Sequence, residues 1–159
     1  MTARVHQISV SDGGVPKRAV ARARIATSGV EGDRQRDTRH HGGPERAVCL
    51  FSMEVIRRLR AEGHPIVPGS AGENLTIEGL DWARVAPGAV LEIDADGSAP
   101  VALEVVSYTR PCSTIRDSFA GLDSNRILQD THPGESRVYA RVVREGTIAV
   151  GAGVRLAGS

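Results

Sequence analysis

The sequence predicts a mainly β, barrel-like fold with a few short helices. Its 159 residues include 18 glycines and 8 prolines, a composition that favours many short strands joined by turns over a helical bundle. Aromatic residues make up only 3% of the chain, so we expect a core built from Val, Ile, Leu and Ala. The length and the 40% hydrophobic content are ordinary for one globular domain, and we expect a single domain over residues 1–159.

The first half of the chain predicts three strands, one helix and a long loop. The strands are apolar or alternating runs rich in β-forming residues, at 3–10, 19–27 and 46–51. Ser52 has the side chain of a helix N-cap, and the spacing of the apolar residues after it predicts a helix that ends at Gly63. Residues 28–46 are polar and Gly-rich, and a loop of this length in a compact domain is usually functional or disordered.

The second half of the chain predicts further strands and two short helices. A second Gly-rich loop runs from Gly69 to Gly79 and leads into a brief strand. Apolar or alternating runs predict more strands, at 89–94, 101–107, 137–144, 146–150 and 153–157. Pro111 ends the strand before it because it has no N–H to donate to the ladder, and short helices are expected at 113–119 and 123–130. Together these elements indicate a β-barrel with helical insertions.

Charge and cysteine content exclude several classes of function. The formal net charge is +1, so no global field draws the chain to nucleic acid or to a membrane. Every cation except Lys17 is an arginine, so an anionic ligand would mostly meet planar guanidinium groups. Cys49 and Cys112 lack the spacing of common zinc sites, and we expect no disulfide framework. Since no apolar run suits a signal peptide or a membrane span, a cytoplasmic protein is expected.

Cys112 is the first candidate for chemistry, as a catalytic thiol and as a metal ligand. It follows Pro111 and is expected to begin a helix, where the helix dipole and the nearby Arg110 and Arg116 would favour its thiolate. A thiolate binds soft metals or carries a transferable sulfur. The alternative is that Cys112 is a small buried hydrophobic side chain, as most free cysteines are. Cys49 lies in an apolar strand, and we expect it to be structural.

The long polar loop is the second candidate, because it contains Asp33, Asp37 and His40-His41-Gly42-Gly43-Pro44. Ligation of one metal by both histidines is disfavoured, since successive side chains of an extended chain point apart. Gly42 and Gly43 would instead let a ligand approach the backbone closely, with one histidine donating a hydrogen bond to it. An ordinary hydrogen-bonded surface loop is the equal alternative.

Glu73, Asn74 and Lys17 are weaker candidates. Within Gly72-Glu73-Asn74-Leu75-Thr76, Glu73 or Asn74 could hydrogen-bond the polar edge of a bound heterocycle. The commoner case is a turn in which Asn74 satisfies its own backbone. Lys17 is the only lysine and follows a Pro turn. It could bind a phosphate, although a solvated side chain is the commoner case.

Taken together, these elements resemble the MOSC family, which is named for the C-terminal domain of molybdenum cofactor sulfurase. The matching elements, in chain order, are Gly14-Val15-Pro16-Lys17, Gly32-Asp33 followed by Asp37, His41-Gly42-Gly43-Pro44 with Ala47-Val48, Gly72-Glu73-Asn74-Leu75-Thr76 with Gly79-Leu80, Arg110-Pro111-Cys112, and Arg137-x-Tyr139-x-Arg141-Val142. No single element is specific. The ordered set spans nearly the whole chain, and it places a cysteine at the family's position.

The resemblance implies a barrel-like fold with a pocket for the molybdenum cofactor, molybdopterin. Cys112 falls on the family cysteine, which is either the molybdenum ligand or a sulfur carrier. The residues expected to bind or support the cofactor are Lys17, Asp33, His41, Gly42, Gly43, Asn74 and Arg110. Among them, the resemblance assigns Lys17 and Arg110 to positions suited to the cofactor phosphate.

The resemblance leaves three functions open. In the first, the chain reduces N-hydroxylated small molecules, as similar bacterial proteins do with hydroxylamino-purines, and takes electrons from a separate partner. In the second, Cys112 carries the intact cofactor, or a persulfide supplied by a pyridoxal-phosphate-dependent cysteine desulfurase. In the third, the domain has lost the cofactor and serves as an interaction domain. Gly151-Ala152-Gly153, where the family often has Gly-Asp, and the lack of a C-terminal helical segment favour the third.

Overall fold

The computed structural model of the chain describes residues 2–34, 43–97 and 99–158. Within these ranges the fold is mainly β, as predicted. The strands are β1 Arg4–Val10, β2 Arg18–Val20, β3 Arg22–Ala26, β4 Gly29–Val30, β5 Val48–Ser52, β6 Leu75–Glu78, β7 Val90–Ile93, β8 Val101–Tyr108, β9 Val138–Arg144, β10 Gly146–Ala149 and β11 Val154–Leu156. The helical elements are the α-helix α1, Met53–Ala61, and 3₁₀ turns at Pro44–Arg46, Trp82–Arg84, Ser113–Ser118, Ala120–Leu122 and Ser124–Ile127.

The strands form two sheets, and the predicted closed barrel is wrong. The larger sheet has the order β11-β7-β8-β9-β5-β6-β1-β2, and the smaller has the order β10-β3-β4. Neither sheet closes on itself in the described part of the chain. Residues 3–5 do reach the segment before β11, through backbone bonds and an isolated bridge from Arg4 to Gly153. A single bridge is too short a ladder to join the two ends of the larger sheet.

The predicted strand at 19–27 is two strands that belong to different sheets. β2 pairs with β1 in the larger sheet, whereas β3 pairs with β10 and β4 in the smaller one. The chain changes sheets at Ala21, whose carbonyl accepts a hydrogen bond from the Val150 amide. Local residue preference favours extended backbone throughout 19–27, so it cannot show where the pairing partner changes.

Aliphatic side chains fill the core, as the low aromatic content predicts. Many of the largest fully buried side chains are Ile or Leu, among them Ile8, Ile25, Leu50 and Leu91. Phe51 and Phe119 are the aromatic members of that fully buried set. Within the described ranges, no helix is long and apolar enough to cross a membrane.

Helix α1 begins where Ser52 predicts it. The Ser52 side chain accepts a hydrogen bond from the Val55 amide, with 3.1 Å between oxygen and nitrogen, and so satisfies one of the unpaired N–H groups of the first turn. The face with Val55, Ile56 and Leu59 is buried against the larger sheet. The cap therefore fixes the start of the helix that follows β5.

Replacing Ser52 with Ala removes this cap, and we expect the chain to lose about 1 kcal/mol of unfolding free energy. Urea denaturation followed by circular dichroism measures the loss. Ser28→Ala is the matched control, because Ser28 is exposed in the turn between β3 and β4. We expect that change to stay within about 0.5 kcal/mol. Equal losses in the two variants would show that the cap does not stabilise α1.

Candidate functional site

Lys17, Asp33 and Asn74, which the sequence predicts as site residues, form one buried hydrogen-bonded cluster. The Lys17 ammonium donates to Asp33 Oδ1 at 2.7 Å, and Asn74 Nδ2 donates to Asp33 Oδ2 at 2.8 Å. The Lys17 and Asp33 side chains are only 5% and 6% exposed, and Asn74 is fully buried. The expectation that Lys17 is commonly a solvated side chain is therefore wrong.

Asn74 joins several parts of the chain. Its Nδ2 also donates to the Ser9 carbonyl at 3.3 Å, and its Oδ1 accepts from the Cys49 amide at 3.0 Å. These partners lie in β1 and β5, so the turn in which Asn74 satisfies its own backbone is not formed. The Asp33 carboxylate accepts a further bond from the Ser11 amide at 2.9 Å. The cluster therefore holds β1, β5 and the start of the long polar loop together.

Glu73 is a fully buried carboxyl group beside this cluster. Its Oε2 accepts a hydrogen bond from the Thr76 hydroxyl at 3.0 Å, while its Oε1 has no hydrogen-bond partner within the described ranges. Burial raises the pKa of Glu73 above its ordinary value, although bonds from the Gly69 amide and its own amide oppose the rise. In this structure Glu73 faces the interior and cannot reach a surface ligand.

Cys112 is a half-buried thiol that precedes the 3₁₀ helix Ser113–Ser118. Its side chain makes no capping hydrogen bond, whereas its carbonyl accepts from the Ile115 amide at 3.3 Å and from the Ser124 hydroxyl at 3.2 Å. The predicted helix thus begins after Cys112, but it is a short 3₁₀ element, and a single turn or two gives a smaller dipole than a full α-helix. Cys112 is partly exposed and is therefore not a fully buried hydrophobic side chain.

Two guanidinium groups near Cys112 in sequence are exposed. The Arg110 side chain is 76% exposed and lies 4.0 Å from the exposed carboxylate of Asp130. Arg116 is also exposed. An exposed ion pair at this distance is weak, so Arg110 can exchange Asp130 for another anion at little cost.

Cys49 is more enclosed than Cys112. It is buried in β5, with its sulfur 3.8 Å from the Thr109 hydroxyl. Burial raises the pKa of the Cys49 thiol above its ordinary value, and the charge of Arg137 opposes the rise only in part. The chain therefore has one accessible thiol and one neutral, enclosed thiol.

Gly43 is the described end of the second candidate loop. Its backbone has φ of +80° and ψ of 166°, a conformation essentially reserved for glycine. Among the described residues other than its chain neighbours, no atom lies within 4 Å of where a Cβ would stand. A ligand can approach the backbone here. Asp37, His40, His41 and Gly42 lie outside the described residues. In the described ranges, no group of three or more His, Cys, Asp and Glu side chains is arranged to hold a metal ion.

An ion-pair network fastens the segment after Cys112 to α1. Glu135 accepts from Arg58 at 2.9 Å and from Arg126 at 3.3 Å, and Arg126 also donates to Glu62 at 2.8 Å. Arg126 lies in the 3₁₀ turn Ser124–Ile127, whose Ser124 bonds the Cys112 carbonyl. Charge counts in the sequence do not reveal this network, because its members are distant along the chain.

The Glu135 carboxylate makes part of the stability depend on pH. Burial raises its pKa, but the bonds from Arg58 and Arg126 outweigh burial and hold the pKa below its usual value of 4.5. A depressed pKa adds stability that is present above the unfolded value and is lost as the pH falls through the folded value. We expect Glu135→Gln to cost about 0.5–1 kcal/mol at pH 7 and less at pH 3. Urea denaturation at both pH values measures this, and a constant cost would contradict it.

Sequence reasoning named Arg137 as a matching element without giving it a role. The structure buries this side chain, which is 4% exposed, and directs its guanidinium to the Ala71 carbonyl at 2.7 Å and the Arg110 carbonyl at 3.4 Å. The signal available in the sequence is an arginine at the start of the mostly apolar run RVYARVV. Only the pairing of distant segments shows what the guanidinium contacts.

The described residues fit a molybdenum cofactor in three respects. Cys112 offers an accessible thiol, a soft ligand. Arg110 offers an exposed guanidinium of the kind that binds phosphate. Gly43 offers open backbone. The polar groups of the buried cluster of Lys17, Asp33 and Asn74 already bond one another.

The fold and the ordered site elements define a class of protein. A model of the MOSC domain family matches residues 37–155, and the chain belongs to this family. It is 30% identical over 145 residues to the uncharacterized protein YflK of Bacillus subtilis strain 168. That alignment covers 90% of this chain and 62% of YflK. It is 29% identical over 132 residues to protein YiiM of Escherichia coli K12, with 80% and 56% coverage. The chain thus spans about three fifths of the length of these curated relatives.

Solved structures show the same fold. The crystal structure of YiiM from Geobacillus stearothermophilus matches with a TM-score of 0.71 and 23% identity, over 97% of this chain and 74% of that one. YuaD from Bacillus subtilis matches with a TM-score of 0.70 and 17% identity, over 97% of this chain and 94% of that one. At these identities the likeness concerns the fold alone.

Proposed function

We propose that this chain binds the molybdenum cofactor, with Cys112 as the metal's protein ligand, and that it reduces N-hydroxylated small molecules. The observation that carries the proposal is Cys112, which is partly exposed and whose side chain makes no capping hydrogen bond. The resemblance of Arg110-Pro111-Cys112 to the family's element supports the same assignment. Family membership supports cofactor binding as a class of function.

Each described site residue has a role in this proposal. Cys112 binds the metal, and the exposed guanidinium of Arg110 binds the cofactor phosphate. Gly43 lets the cofactor approach the backbone. Asp33 and Asn74 hold the walls of the site, and Lys17 acts through its ion pair with Asp33. When bound, the cofactor supplies the two-electron redox chemistry of molybdenum.

The reaction that we propose balances with an external reductant. An N-hydroxyl compound, R–NH–OH, takes up two electrons and two protons, its N–O bond breaks, and R–NH₂ and water are formed. A separate electron-transfer protein or a chemical reductant supplies the electrons. Ser113, Thr114 and Arg116 are exposed and follow Cys112 directly in the sequence, and in this proposal they orient the substrate.

Elemental analysis of molybdenum tests the proposal. The chain is expressed in a host that makes the cofactor and purified without oxygen, as wild type, Cys112→Ser and Cys49→Ala. We expect near-stoichiometric molybdenum in the wild type and in Cys49→Ala, and a large loss in Cys112→Ser. Cys49→Ala is the matched control because it removes the enclosed thiol only. Equal metal in all three chains, or none in any, would overturn the proposal.

A persulfide carrier is the second candidate, and the accessibility of the Cys112 thiol favours it equally. A cysteine desulfurase persulfide would transfer its outer sulfur to the Cys112 thiolate, so that one S–S bond breaks, another forms, and the donor returns to a thiol. Intact-mass spectrometry after incubation with a desulfurase and cysteine would show a gain of about 32 Da, one sulfur atom, in Cys49→Ala and not in Cys112→Ser. The absence of this gain from both would exclude persulfide carriage.

A further inference from the structure

The buried guanidinium of Arg137 joins the loop 69–74 to the segment that leads to Cys112. Arg137 directly precedes β9, and its Nη1 donates to the carbonyl of Ala71, in the loop 69–74, at 2.7 Å. Its Nη2 donates to the carbonyl of Arg110, in the segment that leads to Cys112, at 3.4 Å. A guanidinium presents several N–H donors in a rigid plane, so one side chain can hold two carbonyls at a fixed separation.

The backbone around Arg137 strengthens the same connection. The Thr109 amide donates to the Arg137 carbonyl at 2.9 Å, and Thr109 itself is 2% exposed. The Ser136 hydroxyl donates to the Arg137 carbonyl at 2.7 Å. Arg137 therefore holds two consecutive residues of this segment: its carbonyl binds the Thr109 amide, and its side chain binds the Arg110 carbonyl.

The other side of Cys112 is fastened to the same loop. The Ser118 hydroxyl, at the end of the 3₁₀ helix that follows Cys112, donates to the Ser70 hydroxyl at 2.8 Å. Ser70 and Ala71 are neighbours in the loop 69–74. The segment that carries the thiol is therefore anchored before and after Cys112 to adjacent residues of one loop.

The loop 69–74 also contains the buried carboxyl group of Glu73. Arg137 Nε and Glu73 Oε1 are buried atoms without hydrogen-bond partners in the described ranges, one on a cationic group and one on an acid. Burial raises the pKa of the Glu73 carboxyl, and the guanidinium charge opposes this rise only in part.

We propose that Arg137 is a positioning residue for Cys112, which holds the thiol segment 109–112 against the loop 69–74. Its importance for metal retention rests on the proposed function, whereas its effect on the thiol segment does not. The charge of Arg137 alone does not achieve this. The planar fork is needed, because it is the fork that spans the two carbonyls.

Arg137→Lys in a Cys49→Ala background tests the proposal. The lysine ammonium keeps the charge but cannot span both carbonyls, and loss of one such bond should raise the population of the open segment roughly tenfold. Because Cys112 is already partly exposed, only the reaction that passes through the open segment is accelerated. We therefore expect alkylation of Cys112 by iodoacetamide, at a temperature where both chains are folded, to be faster by up to that factor. Arg141→Lys is the matched control: Arg141 lies on β9 but faces outward and pairs with Glu104. We expect it to leave the alkylation rate unchanged.

Hydrogen exchange separates positioning from general stability. In Arg137→Lys we expect faster amide exchange in 109–118 and in 69–74, and unchanged exchange in α1. Uniformly faster exchange across the chain would show a merely structural role, and unchanged amide exchange in 109–118 would also overturn the proposal. Neither readout needs bound metal, so both results are independent of the Cys112→Ser metal analysis.

If Arg137→Lys does not fold, hydrogen exchange of the wild-type chain tests whether the two segments open together. The Gly72 amide bonds the Gly69 carbonyl, and the Ile115 amide bonds the Cys112 carbonyl. If one side chain holds both segments, these two amides should open with the same free energy and respond alike to urea. Different opening free energies would overturn the proposal.

Discussion

The Asp33→Ala variant is expected to be about 3–5 kcal/mol less stable than the wild-type chain, because it breaks a buried ion pair by removing one partner. Lys17 would keep its ammonium in a site where its side chain is 5% exposed, without the carboxylate that lies 2.7 Å away. Asn74 Nδ2 and the Ser11 amide would lose an acceptor as well. Urea denaturation at pH 7 measures the loss.

Asp12→Ala is the matched control for Asp33→Ala. Asp12 pairs with Arg34 at 3.7 Å, but both side chains are largely exposed, at 92% and 77%. We expect a loss below about 1 kcal/mol, since water replaces the lost partner. A small loss in both variants would show that Lys17 moves to solvent once Asp33 is gone, and that the cluster does not hold the strands together.

Gly69→Ala is expected to cost about 2–4 kcal/mol, from a left-handed backbone and a close contact together. Gly69 has φ of +86°, and a Cβ there would stand 2.8 Å from the Lys17 carbonyl oxygen and 2.9 Å from the Ser9 hydroxyl. The Lys17 amide also bonds the Gly69 carbonyl at 3.1 Å, so the two backbones cannot separate freely. The loop 69–74 would shift away from the Lys17 cluster.

Gly88→Ala separates the free-energy cost of the left-handed backbone from the cost of the close contact at Gly69. Gly88 has φ of +96°, but no atom lies within 4 Å of its added Cβ. That absence of contacts concerns the described residues, and on it we expect this variant to lose about 1–2 kcal/mol, the cost of the left-handed conformation alone. Thermal and urea denaturation of both variants give the difference, and equal losses would show that the contact at Gly69 relaxes without cost.

Much of the strand pattern can be predicted from the sequence, because alternation and turn residues are local signals. β1, β5, β7, β8 and β9 lie where apolar or alternating runs predict them. The division of 19–27 at Ala21 and the open larger sheet depend on which distant strands pair. Periodicity in one segment carries no information about its partner.

The candidate site was predictable in its positions and less so in its contacts. Cys112 lies before a helical element, as predicted, and its accessibility distinguishes it from Cys49. The burial of Lys17 was not predictable, because a lone lysine after a proline turn carries no sign of the carboxylate that it meets. The two carbonyls bound by Arg137 lie in loops far apart in sequence, so only the folded chain reveals them.

The most direct test of the central claim, that the Cys112 sulfur is a ligand of the cofactor's molybdenum, is X-ray absorption spectroscopy at the molybdenum edge. It counts the sulfur atoms bound to the metal, and it compares the cofactor-loaded wild type with Cys49→Ala and with a Cys112→Ser sample reconstituted with excess cofactor. We expect the wild type and Cys49→Ala to agree, and Cys112→Ser to show one sulfur ligand fewer. The same sulfur count in all three chains would contradict the claim, because the metal would then be held without the Cys112 thiol.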